Sequence, residues 1–360
     1  MRPACAFIAL ALPSCVALGA PGPLLRPSGV AGRFDSAAVV NPVVLPPDSD
    51  GEEWRMFYYG TTGQWADPDC KPFLPTGACG LALSPDGVAW TRVDGALEGG
   101  AIFAPSPNPD AWDGLHVGVG DVIRVDGELV MFYLGGSREA AGPLPAGIKM
   151  QIGRATSADG GRTWERDSEE PVLRLDEAEG LFASWPRIMR PPSGPWRMLY
   201  HSFDGQAWRV FGATSDDAGR TWSRATPNEP LLKPGPAGAF DARGIGTRAV
   251  AAGGGGWLMV YEGVDDKDGT HRLGAARSKD GATWTKDVGP VLEPGGAAGE
   301  WTTQVVGTPY LLPMADGTLR LYHCGKPIGA GGAGGGHCIG CLESDGDVTR
   351  DAWRPVLPPA

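Results

Sequence analysis

Three charged residues stand at matched places in otherwise apolar runs: Asp121 in "GVGDVI", Arg187 in "SWPRIM" and Arg248 in "GTRAV". A carboxyl group can give or take a proton, and a guanidinium grips an anion through parallel N–H donors. Laid on one another with "VVNPVV" and "VGTPYLL", the five runs put Pro42, Asp121, Arg187, Arg248 and Pro309 at one level. Charges on apolar strand starts are costly to bury unpaired. The trio therefore reads either as a salt bridge between neighbouring units or as the heart of a site.

Two further sets accompany it. The residue after a recurring Tyr (Tyr58, Tyr133, Tyr200, Tyr261, Tyr322) is Tyr59, Leu134, His201, Glu262 and His323, so two imidazoles and a carboxylate occupy equivalent places. An antiparallel second strand ends where the first begins, which puts Glu262, His201 and His323 beside the trio. The carboxylates Asp35, Asp113 and Asp241 open "FDSAAVV", "WDGLHVG" and "FDARGIG". Their repetition marks them as scaffold for a turn, with ligand contacts still open to them. His116 is a weaker candidate of the same kind.

Only a repeat brings such residues together. Around each Tyr lies a short apolar strand ("RMFYYG", "LVMFYLGG", "WRMLYH", "WLMVYEG", "LRLYHCG"), preceded by a strand-like run and followed by a turn of the type "SADGGRTW". The turn recurs as "SPDGVAW", "SDDAGRTW", "SKDGATW" and a decayed copy ending at Trp353. An active-site motif is rarely needed so often, whereas a turn closing each unit of a repeat is. In it the Asp carboxylate accepts backbone N–H groups, Gly supplies positive φ and Trp packs outward. With 56 Gly and 34 Pro between the β-rich segments, each unit holds about four short strands, which is a propeller blade. The expected fold is all-β, a five-bladed β-propeller with four-stranded antiparallel blades over residues 23–360. The joining motif ("PVLRLD", "PLLKPG", "PVLEPG") also appears at both ends, so a terminal copy is expected to close the ring.

Residues 1–22 carry one Arg, an apolar run and small residues, and read as a signal peptide, with a plastid transit peptide as the alternative. The expected location is the secretory pathway or the exterior. Cys70 and Cys79 bracket a loop and form a plausible disulfide there. Cys324, Cys338 and Cys341 suggest a disulfide plus a spare thiol; zinc would lack its second ligand pair, and no metal is expected. A net charge of −11 argues against nucleic acid or an anionic membrane as partner and makes a neutral or cationic ligand easier to accommodate. A monomer is expected.

"SADGGRTW" and "SDDAGRTW" resemble the Asp box of sialidases, S-x-D-x-G-x-T-W. Sialidases have six blades and rely on an Arg triad with a Tyr nucleophile. With its five units, the chain looks more like the propellers of the arabinanase, levansucrase and invertase group. That resemblance implies an axial pocket for a carbohydrate, with an Asp of an Asp-Pro step in the first blade as nucleophile or base. Here the step is Asn41-Pro42, and the fourth blade offers Thr247 and Arg248 in place of a Glu. Glycoside hydrolysis would then fall to Asp121 as acid with Glu262 or Asp35 as base, Asp35 being the carboxylate nearest Asn41. Arg187, Arg248, Asn41, His201, His323, Asp113 and Asp241 would contact substrate. Likeness to the mannoside phosphorylases offers an alternative in which Arg187 and Arg248 hold phosphate. A non-catalytic sugar-binding module is the other. No cofactor is implied, and an axial cation is left open.

Overall fold

The computed structural model describes residues 22–64, 76–139, 146–226, 228–295, 300–330 and 335–357. Residues 1–21 and Cys70 lie outside these, and with them the leader and the Cys70–Cys79 bridge. The described residues form twenty strands and short 3-10 turns, with no α-helix. The strands come in successive sets of four. The first is β1 (Ala38–Leu45), β2 (Trp54–Thr61), β3 (Gly77–Ser84) and β4 (Thr91–Arg92); the second β5 (His116–Val125), β6 (Glu128–Gly136), β7 (Gln151–Ser157) and β8 (Glu165–Arg166). The third is β9 (Ser184–Met189), β10 (Trp196–Phe203), β11 (Trp208–Ser215) and β12 (Ser223–Arg224); the fourth β13 (Gly244–Gly253), β14 (Gly256–Val264), β15 (His271–Ser278) and β16 (Thr285–Leu292). The fifth is β17 (Val305–Pro313), β18 (Leu319–Lys326), β19 (Cys338–Ser344) and β20 (Arg354–Pro355). Within every set, neighbours in sequence pair antiparallel; the third and fourth sets are joined into one eight-stranded sheet by a single parallel bridge, Trp208 to Gly244.

Second strands such as "WRMFYYGT" do not alternate because both faces are covered. Each set packs on the next. Phe57 and Leu81 meet Val119 and Met131; Val130 and Phe132 meet Met198 and Tyr200; Leu199 and Val210 meet Met259 and Tyr261. Val260 and Leu273 meet Leu311 and Leu321, and Tyr322 and Ile339 return to Met56 and Tyr58 of the first set. The five repeated Tyr rings are at most 1% exposed, in these layers.

The recurring turns join third to fourth strands, and their bonds explain their residues. Asp159 Oδ1 accepts the N–H groups of Arg162 and Thr163, each at 3.0 Å, and the Ser157 hydroxyl at 2.8 Å, while Ser157 Oγ accepts Gly161 N–H at 2.9 Å. Trp164 then lies edge-on to Phe57 of the preceding set at 5.7 Å, as Trp222 does to Phe132 at 5.8 Å and Trp90 to Tyr322 at 6.3 Å.

The C-x-x-C thiols are corrected by the pleat. Cys338 and Cys341, three apart on β19, enter different core layers on opposite faces, and Cys324, Cys338 and Cys341 are all unpaired.

Candidate functional site

Every first strand carries a bulge near its start. In β1, β9 and β17 it is an X-Pro step whose first residue has positive φ: Asn41 at 54°, Trp185 at 49° and Thr308 at 42°. Proline lacks an N–H, so an interrupted ladder is where it fits. The first residues back in register are Val43, Asp121, Arg187, Arg248 and Tyr310. The level expected to hold Pro42 and Pro309 is therefore corrected by one residue in the first and fifth sets, because the bulge hides there behind the proline.

Arg187 is the hub of this level. Its Nε donates to Arg248 O at 2.8 Å, Nη1 to Gly120 O, and Nη2 to Pro309 O at 3.3 Å and Asn41 Oδ1 at 3.4 Å. One guanidinium from the third set thus touches each of the other four. It also lies over the Tyr310 ring, 5.3 Å from its centroid. With so many N–H groups spent on internal oxygens, Arg187 is not available to grip phosphate. Asn41 is held as firmly: its side-chain N–H donates to Val119 O, and its own N–H to Thr308 Oγ1 at 3.1 Å. An Asp in its place would turn a lone pair on that carbonyl.

Asp121 is buried beside Arg187 but not bonded to it. Its Oδ2 accepts Ile188 N–H at 2.8 Å and its Oδ1 accepts Val122 N–H at 3.0 Å, so the tie between the second and third sets runs through backbone. Burial pushes its carboxyl up, against the pull of Arg187 and these donors.

A second buried group lies between the third, fourth and fifth sets. Glu262 accepts the Thr247 hydroxyl, Thr308 N–H at 3.2 Å and His271 Nδ1 at 2.5 Å. Burial works to raise this carboxyl, but His271, Thr247 and Thr308 together hold it below its ordinary range. Burial works downward on His271 and the carboxylate more than offsets it, so this imidazole is raised. The His271 side chain is 39% exposed and brings the pair to the surface. Arg248 Nη2 meets His201 Nδ1 at 2.5 Å, and that imidazole stacks on half-buried Trp185 at 5.0 Å and 11°. Burial and the Arg248 charge keep His201 neutral. Burial and Arg187 draw Arg248 itself down to about 9.

The remaining candidates lie elsewhere. Asp35 Oδ2 accepts Tyr58 OH at 3.0 Å and Arg92 Nε at 2.6 Å; Asp113 Oδ2 accepts Tyr133 OH at 3.1 Å and Arg166 Nε at 2.7 Å; Asp241 Oδ2 accepts Tyr261 OH at 3.1 Å and Lys286 Nζ at 2.7 Å. In the third set Glu179 does the same for Tyr200 and Arg224. Each cation stands on the outermost strand, so this is one clamp across the sheets, built four times over. Asp35 is corrected accordingly: it is wholly buried among Arg33, Arg92 and Tyr58 and is not positioned as a base. His323 stacks on Trp301 at 5.1 Å, wholly buried, and burial lowers it to about 4. His116 is wholly buried against Gly147 O at 2.9 Å. Among the described residues no group of three or more His, Cys, Asp or Glu could hold a metal ion.

Sequence reasoning missed His271, Thr308 and Trp185. His271 opens β15, diagonal to Glu262 across the β14–β15 pair, a position the Tyr-based alignment does not reach. Trp185 and Thr308 were legible in principle as the partners of Asn41 before proline.

No protein-family model and no curated protein matches the chain. Solved structures similar to it include a glycoside hydrolase, 18% identical with TM-score 0.66, covering 95% of this chain and 96% of that one. An α-L-arabinofuranosidase from Lactobacillus brevis is 12% identical with TM-score 0.65, covering 95% and 98%. A structure from the GH130 family of mannoside phosphorylases, described as containing glycoside hydrolases that target β-1,2 mannosidic linkages in Candida mannan, is 17% identical with TM-score 0.60, covering 97% and 98%. At these identities the likeness is one of fold, shared with solved glycoside hydrolases along nearly the whole chain.

Proposed function

We propose that the five sets of strands are the blades of a closed five-bladed β-propeller, and that the protein is carbohydrate-active, hydrolysing a glycosidic bond where Glu262 and His271 reach the surface. Core layers that run from each set to the next, and from the fifth back to the first, support the ring. The observation that carries the activity is a carboxylate held ionised by three donors, one of them on an imidazole open to solvent. Glu262 is the base or nucleophile, and Asp121, whose carboxyl burial raises against the pull of Arg187, is the partner that would exchange the proton.

A second reading, binding without hydrolysis, is favoured by one observation: both Asp121 oxygens and the Asn41 amide are engaged by backbone groups, one on Asp121's own strand and the others on first strands of neighbouring sets. The two separate on a panel of arabinosides, xylosides, fructosides and mannosides. Hydrolysis predicts that Glu262→Gln lowers turnover by about 10²–10⁴-fold while sugar binding persists. Sugar binding by the unaltered protein with no turnover on any member would leave the binding module.

A further inference from the structure

Two first strands carry the same step at the same place: Gly246-Thr247 in "GIGTRAV" and Gly307-Thr308 in "VVGTPYLL", at the bulges of β13 and β17. Both steps close on one carboxylate. Glu262 Oε2 accepts the Thr247 hydroxyl and, at 3.2 Å, Thr308 N–H, which leaves Oε1 to meet His271 Nδ1 at 2.5 Å. The Thr308 hydroxyl faces another way and accepts Asn41 N–H of the first set at 3.1 Å.

The step in the fifth set is unusual on two counts. Thr308 is β-branched yet held at φ 42°, a conformation that such side chains rarely adopt and that persists only where the surroundings impose it. A Cβ built on Gly307 would lie 2.8 Å from Glu262 Oε1 and 3.0 Å from its Cδ, whereas one on Gly246 would make an ordinary contact at 3.8 Å. The oxygen that meets His271 therefore occupies space that only glycine leaves open at 307. Because the crowded group is the end of a flexible side chain, a methyl there would move the carboxylate and spare the strands.

We propose that Gly307 and Thr308 are positioning residues, which hold the Glu262 carboxylate against His271 across the joint between the fourth and fifth sets. The inference rests on the reading of Glu262 as base or nucleophile and adds what fixes its place. Both residues act through Glu262.

The imidazole reports this contact without any turnover. Of the five His, burial lowers His116, His201, His323 and His337, and only His271 is raised, its carboxylate partner outweighing burial. Arg243 and His337 also act on His271, Lys326 acts on His337, and Arg248 and the Cys324 thiol act on Glu262; none of these is altered in the test. Pairing with a carboxylate favours the charged imidazole, so loosening the pair lowers the His271 midpoint.

The test is a proton NMR titration of the whole protein, with the His271 ring signals assigned by their loss in His271→Asn. Gly307→Ala should lower the midpoint by about one pH unit, in the same direction as Glu262→Gln, with the melting temperature nearly unchanged. Thr308→Ser should keep the original midpoint, and Thr308→Ala should lower it. An unchanged midpoint in folded Gly307→Ala would overturn the proposal; if that variant does not fold, equal midpoints for Thr308→Ser and Thr308→Ala would do so. On any glycoside that the protein cleaves, Gly307→Ala should lower kcat about tenfold with KM nearly unchanged, and an effect confined to KM would also overturn it. A lowered midpoint in a protein that cleaves no glycoside would uphold the positioning and sink hydrolysis. Turnover lost in Glu262→Gln but intact in Gly307→Ala, with the midpoint unmoved, would do the reverse.

Discussion

One side chain, Arg187, holds oxygens from four other sets of strands at once. Nothing in its run "SWPRIM" announces this, because a guanidinium that grips substrate and one that grips backbone look alike in one dimension. Replacing it by Met would orphan the carbonyls of Gly120, Arg248 and Pro309 and leave Asp121 buried without its neighbouring cation. The expected loss is about 3–5 kcal/mol, the usual outcome of breaking a buried charge arrangement from one side. Urea denaturation measures it, and a loss below about 1 kcal/mol would remove Arg187 from its place as hub. The clamp carboxylates Asp35, Asp113 and Asp241 teach the converse: repetition marked them as scaffold, and each bonds a core Tyr and an outer cation.

The bulge and the turn are the elements that do the positioning. Three X-Pro bulges hold Asn41, Trp185 and Thr308 at positive φ, which places Asn41 against Val119 O and Thr308 N–H against Glu262. The turn is a closed set of bonds around one carboxylate: burial works to raise Asp159, and the bonds to Thr163, Ser157 and Arg162 together outweigh it and hold the group down at about 2. Asp159→Ala should cost about 1–2 kcal/mol by loss of bonds to Thr163, Arg162 and Ser157, read as a lower melting temperature, with sugar binding unchanged. A change in binding would mean that the turn reaches the site, contrary to its place between third and fourth strands.

At the scale of the molecule, the first described segment completes the last set of strands. Leu24 and Leu25 N–H donate to Ile339 O at 2.8 and 3.0 Å, and Leu25 bridges β19 just as Phe103, Leu173 and Leu232 bridge the third strands of their own preceding sets. Val39 N–H, in β1, reaches His337 O at 3.1 Å beside the same joint. Leu25, 3% exposed, should therefore act as a latch. Leu25→Asp is expected to cost about 2–5 kcal/mol and to open this joint first. Hydrogen exchange would show the Ile339 and Val39 amides losing protection before those of β10 and β11; uniform loss would argue against a separate latch.

The repeat, the four-stranded units, the turn chemistry and the joining segments were all legible in the residues, because each depends on neighbours close in the chain: a Gly at positive φ, an Asp bonding its own turn, an apolar run with turn signals on either side. The terminal copy of the joining motif was equally readable at Leu24 and Leu25. Which polar groups meet was not. Asp121 turning to Ile188 N–H, Arg187 spending itself on carbonyls and Arg248 turning to His201 are contacts across sets of strands far apart in sequence, mostly across a one-residue bulge that a linear alignment steps over, and His271 closes on Glu262 within one set but from a strand the alignment does not reach. Only packing decides them, since a shift of one residue turns a side chain to the opposite face of its strand.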